Sequence, residues 1–244
     1  MTDLTALSYW FPLIKAAGLP VPETRIVKMP TDCQDDLWQA FDGKDGSGAL
    51  KLFADQLASI GEELGYPLFL RTDFTSCKHD WNKTCYVSKR EDVLAHIYNI
   101  AEKSELMDMM GGLKWDTWVL RELLPTTHKA VCPRYGDMPV CREFRLFVEG
   151  GEVKCFHPYW PEESLKQGGV KTDYELIAEM GLQGPDELAH LTALAVKVSN
   201  AVPGAWSVDI LETQRGWFVT DMAEAHKSFH WENCPVSFKE NTNG

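Results

Sequence analysis

The sequence predicts an α+β fold in which helices alternate with strands early and antiparallel hairpins come late. Gly150-Gly151 separates two strand-like segments, Glu143–Val148 and Glu152–His157, which is typical of a β-hairpin. A second hairpin closes the chain, with strands over residues 206–211 and 217–222 on either side of a turn through Gly216. This mixture indicates α+β lobes with a cleft between them.

The first third of the chain alternates helices and strands. Residues 5–18 read as a helix, and Thr24–Lys28 as a short strand. Thr31-x-x-Gln34 predicts a capping box that opens a second helix. The glycine-rich loop over residues 43–48 lacks the ending of a P-loop, so we interpret it as the turn before a helix over residues 49–64.

The middle of the chain continues this pattern. Ser88-x-x-Glu91 and Thr172-x-x-Glu175 predict two more capped helices, the first reaching about residue 103 and the second ending at Gly181. Residues 107–112 read as a turn or short helix, and residues 117–123 as a strand. Pro185 begins a helix that reaches about residue 201.

Composition limits the class of protein. The chain has 244 residues, 44% of them hydrophobic and 25% charged, which is ordinary for a globular protein. Its formal charge of −12 argues against generic nucleic-acid binding, which needs clustered cations. No apolar run is long enough to cross a bilayer, and the start lacks the basic and apolar regions of a secretory signal. We therefore expect a cytoplasmic protein without membrane contact.

The cysteines are interpreted as reduced thiols, because the chain has 7 of them and no Cys-x-x-Cys. Two spacings nevertheless resemble metal sites: Cys77-x-His79 with Cys85, and His226-x3-His230-x3-Cys234. The second set would share one helical face if the tail were helical. A loose polar tail is the interpretation that the sequence favours.

A buried strand that ends on a cation is the most informative segment. Residues 67–70 are apolar, Arg71 follows them, and a polar loop then carries a second cation, Lys78. Burying Arg71 is costly unless an anion meets it. Hydroxyls and backbone N–H groups of the loop suit such an anion, and we interpret it as a nucleotide phosphate.

The last hairpin places acids inside apolar strands. Because side chains alternate along a strand, hairpin register lets Asp209 and Asp221 share one face and converge. Two carboxylates held together repel each other unless a proton or a cation lies between them, and oxygen ligands suit Mg²⁺. Glu224 lies just beyond as a candidate third ligand. The alternative is a solvated strand face.

Two other strands carry candidate binding residues. Arg145 alternates with the apolar residues of its strand, so it can enter a cleft and contact phosphate, or else form a surface pair with Glu143. Glu122 stands where a strand leaves its sheet before Leu123-Leu124-Pro125. Such an exit offers backbone groups to an adenine edge and a carboxylate to a ribose.

Taken in order, these segments resemble the ATP-grasp superfamily. Residues 11–24 resemble its entry segment, and residues 65–71 resemble the strand whose cation contacts ATP phosphates. Residues 118–123 resemble the hinge strand that contacts adenine, and residues 208–210 with 219–221 resemble the paired strands that bear metal carboxylates. The resemblance covers about residues 10–228.

The most similar branch is the compact one named for an arginine and two lysines, which is common in bacterial and phage proteins. Its Glu-(Phe/Tyr)-Arg-x-Phe-Val strand is matched at Glu143–Val148. Two departures stand out: Arg71 replaces the usual lysine, which gives Lys78 the lysine role, and Asp221-Met222-Ala223 lacks the usual asparagine ligand.

The resemblance implies two α+β lobes that grip ATP between antiparallel sheets. Arg71, Lys78 and Arg145 would hold the triphosphate and act in catalysis. Glu122 and the Leu123 backbone would bind ribose and adenine. Asp209, Asp221 and Glu224 would bind Mg²⁺. The boundaries expected are a short N-terminal segment over 1–30, a smaller lobe over 31–112, a larger lobe over 113–230 and a tail over 231–244.

The implied reaction is the ligation of a carboxylate to an amine through an acyl phosphate, with release of ADP, in the cytoplasm (of the host, if the protein is phage-encoded). The acceptor would be an unidentified small molecule or peptide. Two alternatives stay open: a small-molecule kinase, and a non-catalytic ATP-binding protein or assembly factor that acts on a protein partner.

Overall fold

The computed structural model describes residues 3–108, 113–232 and 234–238, with the side chains of residues 106–108 excepted. Of the turn or short helix expected at 107–112, residues 109–112 lie outside the described residues. The chain divides into two compact units. Unit 1 comprises residues 1–21, 125–132 and 139–244, and unit 2 comprises residues 22–124 and 133–138.

Helices and strands are numbered in chain order. The helices are α1 (Leu7–Ala16), α2 (Thr31–Phe41), α3 (Ala49–Leu64), α4 (Val93–Asp108), α5 (Glu162–Gln167), α6 (Tyr174–Met180) and α7 (Pro185–Ala201). The strands are β1 (Thr24–Lys28), β2 (Leu68–Thr72), β3 (Tyr86–Val87), β4 (Thr117–Glu122), β5 (Ala130–Cys132), β6 (Met138–Val140), β7 (Glu143–Glu149), β8 (Glu152–Pro158), β9 (Ala205–Thr213) and β10 (Gly216–Glu224). Together they confirm the α+β fold class.

Unit 2 is built on an antiparallel sheet with strand order β1-β4-β2-β3. One face of this sheet packs in the core with the helices α2, α3 and α4, to which β2 contributes Leu68 and Leu70 and β4 contributes Trp118 and Leu120. Since side chains alternate along a strand, Phe69 and Arg71 lie on the other face. The apolar half of β2 therefore anchors the strand that carries Arg71.

Unit 1 contains a second antiparallel sheet with order β10-β9-β7-β8. The helix α7 packs against β7, β8 and β9. Phe144, Leu146 and Val148 are fully buried and alternate along β7 with Glu143, Arg145 and Phe147. The latter set belongs to the face on which the candidate site is found.

The structure confirms the predicted hairpins and corrects the predicted helix caps. Pro30, not Thr31, occupies the N-cap of α2, so its capping box is absent. Ser88 donates to Asp92 Oδ2 at 2.7 Å instead of capping through Glu91, and a short 3-10 turn precedes α4. Asp173, one residue after the predicted Thr172, caps α6 by accepting from the Leu176 N–H.

Within the described part of the chain, no helix combines the length and the apolar character needed to cross a bilayer.

Candidate nucleotide site and a cysteine–histidine cluster

A row of polar residues runs across the sheet of unit 1. Arg145 on β7 lies directly opposite Asp209 on β9, and Asp209 lies directly opposite Asp221 on β10. Residues directly opposite each other in an antiparallel sheet point to the same face. Asp209 and Asp221 thus share one face, as the sequence predicted, although an irregular register brings them there. We call Arg145, Asp209 and Asp221 the carboxylate row.

The centre of this row is a two-pronged ion pair. Arg145 donates from Nε to Asp209 Oδ1 at 2.7 Å and from an Nη to Oδ2 at 2.9 Å. The side chains are largely buried, with exposed fractions of 19% and 6%, so water screens the pair poorly. Burial by itself would lower the pKa of Arg145, but the Asp209 carboxylate raises it above its ordinary value. The sequence left open a surface pair between Arg145 and Glu143. In the structure Arg145 instead pairs with Asp209.

Tyr159 adds to this arrangement, because its ring lies 4.8 Å from the centre of the Arg145 guanidinium. A cation over an aromatic face is attracted by the ring quadrupole. Arg145 is thus held by protein contacts at its Nε–Nη edge and on one face of its guanidinium plane.

A β-bulge at Thr220 creates the register of the last hairpin. Val219 opposes Ile210 and Asp221 opposes Asp209, so Thr220 is the extra residue. Its hydroxyl lies 3.2 Å from Glu143 Oε1 and 3.3 Å from the Asp209 carbonyl oxygen. Without the bulge, Thr220 would stand opposite Asp209. The bulge, Thr220 and Glu143 escaped the sequence analysis, because alternation alone does not predict an extra residue.

Glu224, the third carboxylate predicted to bind metal, is placed differently. It opposes Trp206, three positions after Asp221, so alternation puts it on the opposite face of β10. Its carboxylate lies 2.6 Å from Lys227 Nζ. The structure therefore does not bring Glu224 together with Asp209 and Asp221.

Arg71 is positioned by β2 of unit 2. The residue is 5% exposed, and its Nε donates to the Thr72 carbonyl oxygen at 3.0 Å. This agrees with the expected buried cation at a strand end. Lys78 opens a 3-10 turn over Lys78–Lys83 in the loop that follows.

That loop is tied by its own hydrogen bonds. The Thr75 N–H donates to the Thr72 hydroxyl at 3.1 Å, and the Thr84 hydroxyl lies 2.8 Å from the carbonyl oxygens of Cys77 and Asp80. Such bonds hold the loop in one conformation, so the backbone around Lys78 is fixed by the loop itself.

Glu122 is the last residue of β4, and Leu123 follows as the chain leaves the sheet. Glu122 Oε1 accepts from the Glu23 N–H at 2.9 Å, and the Glu122 N–H donates to the Glu23 carbonyl oxygen at 3.0 Å. The carboxylate therefore holds the segment that leads into β1.

Four sulfur and nitrogen ligands meet on the same face of unit 1 as the carboxylate row. Cys155 and His157 alternate on β8, where His157 lies directly opposite Arg145. His230 and Cys234 return from the tail, and one ligand atom from each of the four residues lies within 4.8 Å of the other three. We call Cys155, His157, His230 and Cys234 the cysteine–histidine cluster.

Burial changes the acid–base properties of this cluster. It raises the pKa of the Cys155 thiol to about 12, with help from the neighbouring Cys234. It also lowers the pKa of His157 to about 4, with help from His230 and Arg145. In the absence of a metal, both groups are held in their neutral forms at neutral pH.

The cluster corrects both metal spacings of the sequence analysis. The tail forms only a 3-10 turn over Ala225–Lys227, so His226 does not join His230 and Cys234 along a helix. Among the described residues, no other group of three or more histidine, cysteine or acidic side chains gathers in this way, and Cys77, His79 and Cys85 do not. The missed signal was Cys155-x-His157 on a strand, a spacing that puts two ligands on one face.

The sequence matches the model of an ATP-grasp domain, family 3 of the clade named for one arginine and two lysines, over residues 59–230, well over half of the chain. The chain belongs to this ATP-grasp family. The match confirms the superfamily and the branch that the motifs resemble. It ends before Cys234, so the ATP-grasp match does not contain the whole cysteine–histidine cluster.

Solved structures agree on the ATP-grasp fold. C-terminally truncated Cdc123 from Schizosaccharomyces pombe is 15% identical, with a TM-score of 0.58, over 90% of this chain and 83% of that chain. The biotin carboxylase domain of 2-oxoglutarate carboxylase from Hydrogenobacter thermophilus, in complex with MgADP, ADP and bicarbonate, is 12% identical, with a TM-score of 0.53, over 90% of this chain and 39% of that chain.

A RimK domain protein ATP-grasp from Sphaerobacter thermophilus is 16% identical, with a TM-score of 0.49, over 91% of this chain and 58% of that chain. The ATP-grasp chain described here thus spans less than two thirds of that protein. No curated protein sequence matches the chain of 244 residues.

Proposed function

We propose that this protein binds MgATP and joins a carboxylate to an amine, releasing ADP and phosphate. Membership in the ATP-grasp family supports ATP as the nucleotide. The observation that carries the proposal is the carboxylate row, in which two opposed aspartates share a face with an arginine that is already oriented. This combination suits a metal-bound polyphosphate.

The donor set of the row fits Mg²⁺. Asp209 and Asp221 offer carboxylate oxygens from one face, and Mg²⁺ prefers oxygen ligands. Arg145 uses one acceptor site on each Asp209 oxygen, and each ionised oxygen has a further lone pair. When bound, Mg²⁺ neutralises charge on the phosphate oxygens. Glu224, predicted as a third ligand, is left out of this donor set because β10 directs it to the opposite face.

The cations are assigned to the triphosphate. Arg145 would contact phosphate oxygens through its guanidinium edge while Asp209 keeps it in place. Arg71, buried on β2, would meet a second phosphate, and Lys78 would take the role that a lysine usually has in this family. Positioning and charge neutralisation are the main requirements for phosphoryl transfer, so these residues need not form covalent bonds.

The nucleoside is assigned to the end of β4. Glu122 is the proposed contact for the ribose hydroxyls, and the backbone of Leu123 is the proposed contact for the adenine edge. The hydrogen bonds between Glu122 and Glu23 fix where the chain leaves the sheet, which sets the direction of the Leu123 backbone groups.

The reaction balances in two steps. A carboxylate oxygen of the substrate attacks the γ-phosphorus of ATP, the bond to the bridging oxygen breaks, and ADP leaves. The amine nitrogen of the acceptor then attacks the acyl carbon, the bond to the phosphate oxygen breaks, and the amine loses a proton. The acceptor is proposed to be a small molecule or a peptide.

Calorimetric titration with MgATP tests the site. We expect Asp209→Asn and Arg71→Ala to abolish measurable binding, while the control Glu149→Gln, on an exposed residue at the far end of β7, keeps the parent affinity. Parent-like binding by both variants would overturn the site assignment.

The reaction is tested by screening amino acids, peptides and nucleotides for acceptor-dependent release of ADP. A product with the mass of acid plus amine minus water supports ligation. A phosphorylated product would instead show a kinase. Tight ATP binding without turnover, together with a co-purifying protein, would show a binding protein or assembly factor.

A further inference from the structure

The cysteine–histidine cluster combines two ligands from a rigid strand with two from the tail. Cys155 and His157 are fixed by β8, whose backbone pairs with β7. His230 and Cys234 follow β10 at the end of the chain, and His230 Nε2 lies 3.0 Å from Cys155 Sγ. Two thiols and two imidazoles from separate parts of unit 1 thus face one point.

The distances suit a tetrahedral metal. Zinc–sulfur bonds of about 2.3 Å and zinc–nitrogen bonds of about 2.0–2.1 Å place tetrahedral ligand atoms roughly 3.3–3.8 Å apart. The four ligand atoms here all lie within 4.8 Å of one another, so closing around an ion requires small side-chain rotations and no movement of β8.

His157 provides an independent indication that a ligand is needed. The residue is only 9% exposed, and no described residue hydrogen-bonds to its buried Nε2. A buried polar atom without a partner costs free energy, and native proteins rarely keep one unless something else satisfies it. Reorienting the imidazole toward a metal ion supplies such a partner.

The surroundings of the cluster are aromatic. Trp231 stacks on His157 at a centroid distance of 5.3 Å, and the rings of Phe147 and His230 form a T-shaped pair at a centroid distance of 4.5 Å. Phe238 stacks on Phe147 at 5.4 Å. An apolar shell strengthens bonds between a cation and thiolates by excluding water. The same ring contacts pack the tail against the sheet.

We propose that Cys155, His157, His230 and Cys234 bind one Zn²⁺ that fastens the tail to β8. Four protein ligands leave no open position, which is the arrangement of a structural zinc site and not of a catalytic one. The mixture of two thiolates and two imidazoles suits Zn²⁺ and disfavours Mg²⁺, the ion proposed for the carboxylate row. The two proposed sites on this sheet face thus differ in the metal that they prefer.

The cluster borders a cleft of about 550 Å³ whose lining includes Lys154, Leu188 and Pro235. Metal ions and chelators therefore have a path to it in the folded protein. This allows the full chain to be stripped and reloaded without unfolding.

The test is metal loading of the full chain under reducing conditions. We expect one Zn²⁺ per chain by elemental analysis, and Co²⁺ replacing it with the intense visible bands of a tetrahedral site that has two thiolate ligands. In Cys234→Ser the affinity should fall by at least about a hundredfold, because one thiolate is lost. Cys234 is a partly exposed tail residue, so this variant is expected to fold.

A matched pair of histidine variants adds a control. His157→Gln should lose the Co²⁺ spectrum, whereas His190→Gln, on an exposed residue of α7, should keep both spectrum and stoichiometry. The proposal is overturned if the reduced chain takes up no Zn²⁺ at equimolar concentration, if bound Co²⁺ gives the weak bands of an octahedral oxygen site, or if Cys234→Ser binds as tightly as the parent. ATP is absent from these measurements, so their outcome is independent of the proposed ligase activity.

Discussion

The two halves of one sheet face in unit 1 use different chemistry and different chain connections. The carboxylate row lies on the adjacent strands β7, β9 and β10, and its oxygen ligands suit Mg²⁺. The cysteine–histidine cluster lies on the edge strand β8 and on the tail, and its sulfur and nitrogen ligands suit Zn²⁺. His157 and Arg145, directly opposite each other, mark where the two halves meet.

The difference is one of preorganisation. Arg145, Asp209 and Tyr159 already satisfy one another, so the carboxylate row is held in place by protein contacts alone. The cluster has its strand ligands fixed, but its tail ligands rely on ring contacts and on the proposed metal. We therefore expect the row to be sensitive to the loss of one partner and the cluster to be sensitive to the loss of the ion.

The largest expected effect is the removal of the partner of Arg145. Asp209→Ala leaves a guanidinium largely buried without its carboxylate, and breaking a buried pair in this way costs about 3–5 kcal/mol of the free energy of unfolding. Urea denaturation measures the loss. Glu149→Ala, which changes an exposed residue of the same sheet, serves as the control and should stay within about 0.5 kcal/mol of the parent.

A double variant separates the pair from the rest of the sheet. Asp209→Ala leaves the buried Arg145 charge without its partner, and Arg145→Ala removes that charge. The two changes together should therefore lower the free energy of unfolding by well below the sum of their separate effects. Additive costs would mean that the ion pair contributes little, and that the two halves of the face do not differ in preorganisation.

The two acids of the carboxylate row could be recognised from the sequence, because each lies inside an apolar strand and Gly216 marks the turn between them. Their exact pairing could not be derived, because the regular register from that turn would place Thr220 opposite Asp209, and only the bulge brings Asp221 there. The cluster could not be predicted, because Cys155 and His230 are 75 positions apart and meet only through the path of the tail. A helical spacing in that tail suggested His226 as a ligand, but the 3-10 turn ends at Lys227.

The predicted helix caps were wrong for a related reason. Thr31 and Gln34 match a capping box, yet Pro30 already has the extended backbone of an N-cap, and α2 begins directly after it. Likewise Thr220 could not be recognised as a bulge residue, because its role depends on Glu143 of another strand. In both cases a neighbour outside the pattern decides the geometry.

Removing metal should have the next largest effect. Zinc at a hundredfold excess over its Kd stabilises the folded state by about 2.7 kcal/mol, so chelation should lower the free energy of unfolding by that amount. Denaturation curves with and without chelator measure it. Cys155→Ser with Cys234→Ser should not respond to chelator, whereas Cys33→Ser, a cysteine of unit 2, should respond as the parent does. An equal response in all three proteins would place the metal effect elsewhere.

The bulge should have a smaller effect. Thr220→Val removes the hydroxyl that lies against Glu143, and an unsatisfied buried acceptor costs about 1–3 kcal/mol. We expect a loss near the lower end, because Glu143 has other interactions. Thr220→Ser should restore most of the stability, and Thr127→Val, on an exposed residue, should change little. A loss in Thr220→Ser as large as in Thr220→Val would show that the methyl group, not the hydroxyl, holds the bulge.

The smallest expected effect tests whether the row contains two carboxylates or three, and it rests on the proposed MgATP binding. Glu224→Gln changes a residue that faces away from Asp221 and pairs with Lys227 at the surface, so it should change the Kd for MgATP by less than about threefold. Asp221→Asn, the same acid-to-amide change three positions earlier, should weaken binding by at least about tenfold, because it removes charge directly opposite Asp209. Titration calorimetry at one magnesium concentration compares the two. If both variants weaken binding equally, the chain must bring Glu224 around the edge of β10 when it binds nucleotide, and the division of ligands between the two faces would then depend on the bound state.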